Sequence, residues 1–295
     1  MELLLQLLFN GIASGALYAV VALGFGLIYN TTRIFHIAHG INFTVAGYLL
    51  LTTATHAGFP LWLAATVSVC GSAVLGVLME LAVYRPLYNK NAPAAVTFVS
   101  SLGIYIFLQN LIAMIYGSQP QPIITSVESA FNIASVSVSR VQILQIAAFV
   151  AVFVLFYVAT RRTKFGKSLK AVSDNPVLAE VVGIDIKKLR TGIFALGSVL
   201  AGLGGVILAS DVGVDPYAGM PVVLLAVVSV IIGGVGILEG ALAGGILIGV
   251  LQAMVVGNFD AKWQNTTVFL VLIIFLLLKP EGLLGSKRRL AEVKV

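Results

Sequence analysis

LLLQLLFNGIASGALYAVVALGFGLIY, residues 3–29, runs for 27 positions without a charged side chain. About 20 apolar residues in a helix cross the hydrocarbon core of a bilayer. Backbone groups have no water to bond there, so such a run must fold as a helix. A secretory leader is shorter and opens with a basic region. This run follows Glu2, so it reads as a retained membrane helix. Eight comparable segments follow at approximately 35–55, 61–84, 94–116, 141–160, 191–210, 221–238, 240–257 and 266–279. The seventh and eighth are short and glycine-rich, and read as full spans, half-helices or a broken pair, leaving eight or nine spans.

Composition points the same way. The 295 residues are 59% hydrophobic and 10% charged, whereas soluble domains carry about 25% charge. Short segments with dyad alternation, the mark of a membrane barrel, are missing. The expected fold is therefore an all-α polytopic bundle of eight or nine transmembrane helices, read as a single transmembrane domain over 1–295. Cys70 is the lone cysteine, which rules out an intramolecular disulfide. The net charge of +6 marks loops at a membrane surface rather than a nucleic-acid site.

The charges also orient the chain. With the N-terminus outside, the segments 30–34, 85–93, 161–190 and the tail from 279 fall on the cytoplasmic side. Together they hold 16 of the 18 basic residues, leaving out only Arg140 and Lys262. The positive-inside rule then favours N-out, C-in. The longest outer loop, 117–140, alternates apolar and polar residues at IASVSVS, the pattern of a short strand or an amphipathic piece.

Small residues recur at four-residue spacing: Gly236, Gly240 and Gly244; Gly245 and Gly249; Gly197, Ala201 and Gly205; Gly11 and Gly15. Residues four apart share a helix face, so these ladders let helix backbones pack closely in lipid. The same glycines are also able to break helices beside a transport pathway.

Few charges lie inside the spans. Glu80 is placed to reach the interface or to pair with Arg85, and Glu239 to sit at a turn. Neither is a mid-membrane acid of the kind proton-driven carriers use. His36 and His39 fall three residues apart beside Asn42 and Thr44. Two histidines without a third ligand do not make a metal site, which leaves helix-to-helix hydrogen bonding or a polar lining. Ser101 and Gln109 in the fourth segment allow the same two readings. The candidate pathway residues are thus His39, Asn42, Ser101 and Gln109.

No nucleotide or catalytic motif is present. FGKSLK contains a Gly-Lys-Ser, but a P-loop needs glycine five residues before its last glycine, and Arg161 stands there. The loop that holds this piece, 161–190, is polar and carries eight basic residues. Within it Asn175-Pro176 is a helix start, with Asn as N-cap and Pro at the first helical position. Gly183 supplies a left-handed cap, so a helix is expected over Pro176–Val182. A helix that short is marginal in water. Its Val177, Leu178, Val181 and Val182 need a surface, which is the chain's own inner face, the lipid interface or a groove on a soluble partner.

GKSLKAVSDNPVLAEVVGIDIKKLRTGIFALGSVLAGLGGVILA, residues 166–209, resembles the cytoplasmic loop and following helix of bacterial ABC-transporter permeases for branched-chain amino acids. Matching positions include Gly166, Ala171, Asn175, Ala179, Gly183 and Ile184. NGIASGALYAVVALGFGLIY, the 84–112 stretch beginning YRPLYNKNAP, the 231–252 stretch IIGGVGILEGALAGGILIGVLQ and KPEGLLG at 279–285 resemble other parts of the same family. The likeness covers nearly the whole chain and is nearest to the shorter of the two permease subunits. One departure is HIAHG at 36–40, where the family has Asn-Phe-Ala-His-Gly.

The resemblance implies an importer in the bacterial inner membrane. Its other parts would be a second homologous permease, two cytoplasmic ATPases and a periplasmic substrate-binding protein. ATP would be used by those ATPases, with no cofactor or metal in this chain and no enzymatic activity of its own. It also implies that Gly166, Ala171, Asn175, Pro176, Leu178, Ala179, Val182, Gly183 and Ile184 form the coupling loop to the ATPases. Urea, short amides or other small polar solutes are alternative cargoes. A self-sufficient channel or secondary carrier is the competing class.

Overall fold

A computed structural model describes residues 2–123, 130–133 and 136–285. The basic residues Lys287, Arg288, Arg289 and Lys294 and part of the 117–140 loop lie outside the described residues. The elements run α1 Glu2–Thr32, α2 His39–Leu51, α3 Leu61–Met79, α4 Arg85–Asn89, α5 Ala94–Tyr116, β1 Ala130–Ile133 and β2 Val136–Ser139. They continue as α6 Arg140–Arg162, α7 Lys164–Asp174, α8 Pro176–Val181, α9 Ile186–Val212, α10 Gly219–Gly233, α11 Leu238–Asn258 and α12 Gln264–Leu278. Two π-helical turns, Thr52–His56 and Glu80–Tyr84, extend α2 and join α3 to α4.

Among the described residues, seven helical stretches are long and apolar enough to cross a membrane: Glu2–Thr32, Leu61–Asn89, Ala94–Tyr116, Arg140–Arg162, Ile186–Val212, Leu238–Asn258 and Ala261–Leu278. Gly219–Gly233 is a shorter apolar helix. The chain is an all-α polytopic membrane protein, with one small hairpin among the described residues. The segment read at 35–55 yields a 13-residue α2 whose side chains are nearly all buried. Surrounding protein, rather than its own hydropathy, accommodates its His39, Asn42 and Thr44.

The backbone contacts group the chain into two compact units. One holds the described residues of Met1–Gly26, Thr125–Ala151 and Leu224–Val295. In it, Gly11 and Gly15 of α1 lie directly on Gly249, Val250 and Ile246 of α11, and Gly245 lies on Ala19. A methyl group at Gly249 would overlap the backbone of Gly15. Two of the small-residue ladders therefore pack against each other. Gly240 and Gly244 face Gly233 and Ser229 of α10 in the same close manner. Gly236, read above as a rung with them, instead lies in the α10–α11 turn at φ 92°. The spacing of four continued past the point where the helix starts.

The apolar core of this unit is Leu225, Val228, Ile232, Ile248 and Val268, with Leu251, Leu272 and Phe275 packed around it. KPEGLLG folds back onto the end of α10. Leu283 N–H donates to Ile232 O at 2.7 Å and Leu284 N–H to Gly233 O at 3.2 Å. Gly282, at φ 82°, sits so close to Gly234 that a side chain there would collide with its backbone. The last carbonyls of a helix have no partner within it, and this segment supplies donors for two of them. The alternation at IASVSVS belongs to the β1–β2 hairpin, with Phe131 opposite Val138 and Ile133 opposite Val136. Gln6 of α1 holds it by donating to Ser137 O at 2.9 Å and accepting from Ser137 N at 2.8 Å.

The other unit comprises the described residues of Leu27–Ile124 and Val152–Val223. Its centre is α2, α3 and α9, each packed on the other two. The third ladder makes this possible. Gly205 of α9 lies on the backbone of Phe43, and Gly202 on Ser72 of α3. Gly197 and Ala201 on the same helix are buried.

Candidate functional site

The 161–190 loop is three helical pieces with a cap at each joint. Thr163 accepts from Gly166 N at 3.1 Å and opens α7. Asn175 Oδ1 accepts from Leu178 N at 3.1 Å and opens α8, with Pro176 at its first position. Gly183 at φ 89° turns the chain, and its N–H donates to Glu180 O at 3.0 Å. Asp185 Oδ1 accepts from Lys188 N at 3.0 Å and opens α9. That N–H and the Lys188 ammonium hold the Asp185 carboxyl below its usual pKa. Local capping chemistry thus places every break in the loop. The α8 helix ends at Val181, one residue before the sequence expectation.

This loop leaves an apolar face uncovered. Val177, Leu178, Val181 and Val182 are 69%, 61%, 79% and 74% exposed. Ala179 points the other way and is buried where α8 rests on α7 and α9. Asn175, Pro176 and Gly183 are exposed, Ala171 and Ile184 half-buried, and Gly166 is packed on the backbone of Ala159 and Thr160. A short, fully capped helix with four exposed aliphatic side chains is suited to docking in a groove.

The polar residues of the second apolar segment gather where α2 meets α3, α5 and α9. His36 lies before α2 rather than on it. Its Nδ1 is 2.8 Å from Tyr84 Oη, and its ring meets those of Phe194 at 5.2 Å and His39 at 5.9 Å. Ser101 Oγ accepts from Ala38 N at 2.9 Å. Asn42 Nδ2 donates to Ser198 Oγ at 2.9 Å, and Ser72 Oγ donates to Ser198 O at 2.8 Å. Of the candidate pathway residues, His39, Asn42 and Ser101 are fully buried. Asn42 and Ser101 each tie two elements together. Gln109 stands apart on α5, half-buried. Among the described residues no three His, Cys, Asp or Glu side chains come together as a metal site.

Glu80 does not pair with Arg85. It pairs with Arg190 of α9 in a two-pronged bridge, Nε to Oε1 at 3.0 Å and Nη2 to Oε2 at 3.2 Å. Arg85 instead donates to Lys187 O and Thr191 Oγ1. Arg190, buried beside Glu80 on α9, takes both carboxylate oxygens and leaves Arg85 to the backbone and hydroxyl acceptors at the start of α9. The Arg190 guanidinium also stacks on Tyr88, 4.4 Å from its centroid. The partner is 110 positions away, so sequence spacing carried no signal for it.

Comparison with known proteins agrees with this architecture. The family model described as "Branched-chain amino acid transport system / permease component" matches residues 7–278. The high-affinity branched-chain amino acid transport system permease protein LivH of Escherichia coli K12 is 26% identical, over 95% of both chains. BraD of Pseudomonas aeruginosa, a permease protein named in the same terms, is 28% identical over 95% of both. A probable LivH of Methanocaldococcus jannaschii is 29% identical over 91% of this chain and 89% of its own. In fold alone, the chain resembles PsaBC from Streptococcus pneumoniae, solved in complex with a Fab. The TM-score is 0.51 at 13% identity, over 97% of this chain and 94% of that one. A family match across nearly the whole length, through helices and loop alike, settles the class: the chain belongs to the branched-chain amino acid transport system permease family.

Proposed function

We propose that the chain is the transmembrane permease subunit of a binding-protein-dependent ABC importer for branched-chain amino acids, in a bacterial inner membrane. The cargo follows the names of the relatives. A second homologous permease completes the membrane unit, two ATPases dock from the cytoplasm, and a binding protein delivers cargo from outside. ATP is used by the ATPases. The chain sits N-out and C-in, and Gln109, His39, Asn42 and Ser101 are its candidate pathway residues.

The observation that carries the reading is α8. Four exposed aliphatic side chains on a capped helix, inside a basic loop, are a docking element with no partner in its own chain among the described residues. Because α8 leads through Gly183 and Asp185 directly into α9, a push on α8 is a push on the helix that packs α2 and α3. A ligand-driven change must rest on different contacts in two states, and this contact is available to an ATP-closing partner.

The test is an affinity pull-down of tagged protein from native membranes in mild detergent, wild type beside Leu178→Asp. A second permease and P-loop ATPases are expected with wild type, and loss of the ATPases alone with the variant. Recovery of the protein only with itself, in both samples, would transfer the assignment to a channel or secondary carrier. Since Ala179 is buried, Ala179→Arg disrupts the loop's own packing, and Leu178→Asp is the cleaner probe of docking.

A further inference from the structure

A cavity of about 340 Å³ opens between the end of α1, α4, the start of α5 and α9. Small-molecule pockets begin at about 300 Å³. Its lining includes Arg33, Arg190, Tyr84, Tyr88, Asn91 and Thr97. The floor is buried: Tyr84 is 0% exposed, Arg190 3% and Thr97 9%. Arg33, Tyr88 and Asn91 form an exposed rim.

Two features make this more than a packing gap. Arg33 and Asn91 are the two non-glycine residues with positive φ among the described residues, at 57° and 50°. Each lies just past a helix end, of α1 and of α4, where a left-handed residue closes the last turn and fixes where the next side chain stands. Both lie on the rim of the same cavity. The charge balance is the second feature. Glu80 already neutralises Arg190. Arg33 has no ion-pair partner among the described residues, and its guanidinium makes one long bond, 3.4 Å, to the neutral Ser173 O of α7.

We propose that this cavity is a binding site for a small carboxylate with an apolar body, which on the functional reading above is the translocated amino acid on its release side. Arg33 is the charged group for the carboxylate, because a guanidinium fork matches two carboxylate oxygens. The Asn91 amide is placed to add a donor at the rim. The Tyr84 and Tyr88 rings offer apolar wall to an aliphatic side chain. Described carboxylates are missing from the rim, so the site selects for the acid and not for the amine.

The experiment uses permease purified with its co-purifying subunits, without the outside binding protein. Calorimetric titration is run with leucine, with 4-methyl-2-oxopentanoate, which keeps the carboxylate and lacks the amine, and with 3-methylbutylamine, which has the converse. Saturable binding is expected for the first two and not for the amine. Arg33→Asn removes the guanidinium but tolerates positive φ, and should weaken both by about tenfold or more, the loss of a charge-assisted bond. Asn91→Gly keeps the backbone and should weaken binding less. No saturable carboxylate binding, equal binding of the amine, or unchanged binding by Arg33→Asn would overturn the proposal. Uptake by the wild-type transporter is measured in parallel. Uptake of leucine without Arg33-dependent binding sinks this site alone, whereas an assembly that never transports amino acids sinks the functional reading beneath it.

Discussion

At the residue scale, the Glu80–Arg190 bridge makes a single change costly. Its side chains are 0% and 4% exposed. Removing one partner strands a buried charge, so Glu80→Gln should cost about 3–5 kcal/mol, whereas the double replacement Glu80→Leu with Arg190→Met should be near neutral or stabilising. Heating detergent-solubilised protein and scoring the surviving fraction checks both. A double variant as unstable as the single would refute this account of the pair. The bridge was half legible in the sequence. Glu80 stood out as a charge near a span end, but the neighbour rule pointed to Arg85. Arg190 is brought beside Glu80 by the packing of α9, and nothing local in the sequence announces a partner 110 positions away. The loop was far more legible, because caps are local: Asn175, Pro176 and Gly183 act on residues within four positions, although the Asp185 cap that opens α9 went unread.

At the scale of elements, the glycine ladders separate contact from mere composition. Gly249 faces the backbone of Gly15 and Gly11, which cannot yield, whereas Gly103 on α5 has open space around its missing side chain. Gly249→Ala should therefore lower the yield of folded protein and its thermal midpoint. Gly103→Ala should be neutral or raise helix stability by up to about 1 kcal/mol. Size-exclusion profiles and melting of the two variants test the contrast, and equal behaviour would remove packing as the ladders' role. The four-residue period revealed which faces are smooth. It did not reveal that Gly11 and Gly15 meet Gly249, because pairing between helices is set by three-dimensional complementarity. It also carried one rung too many, since a turn glycine such as Gly236 falls on the same count by coincidence.

At the scale of the whole molecule, composition fixes the class and the charges propose an orientation. Where the number of spans was open, seven helices among the described residues are long and apolar enough, while α2 and α10 are short. Both stand out as apolar in the sequence, and it is their helical length, 13 and 15 residues, that falls short of a full span. The orientation has a direct measurement. Cys70 is the one cysteine, so in a Cys70→Ser background single cysteines at Lys167 and Lys262 report sidedness. A membrane-impermeant maleimide applied to intact cells should label position 262 and spare 167, with the reverse pattern in inside-out vesicles. Labelling of 167 from outside would invert the topology. Finally, α10 is 15 residues, about 22 Å at 1.5 Å per residue, short of a bilayer core of about 30 Å, and its terminal carbonyls are bonded by Leu283 and Leu284. Those donors are translated some fifty residues after the acceptors. During synthesis, then, the end of α10 is without these two donors until KPEGLLG leaves the ribosome. A chain that stops short of KPEGLLG would lack that closure, so the last-made segment is what completes the end of a helix made some fifty residues earlier.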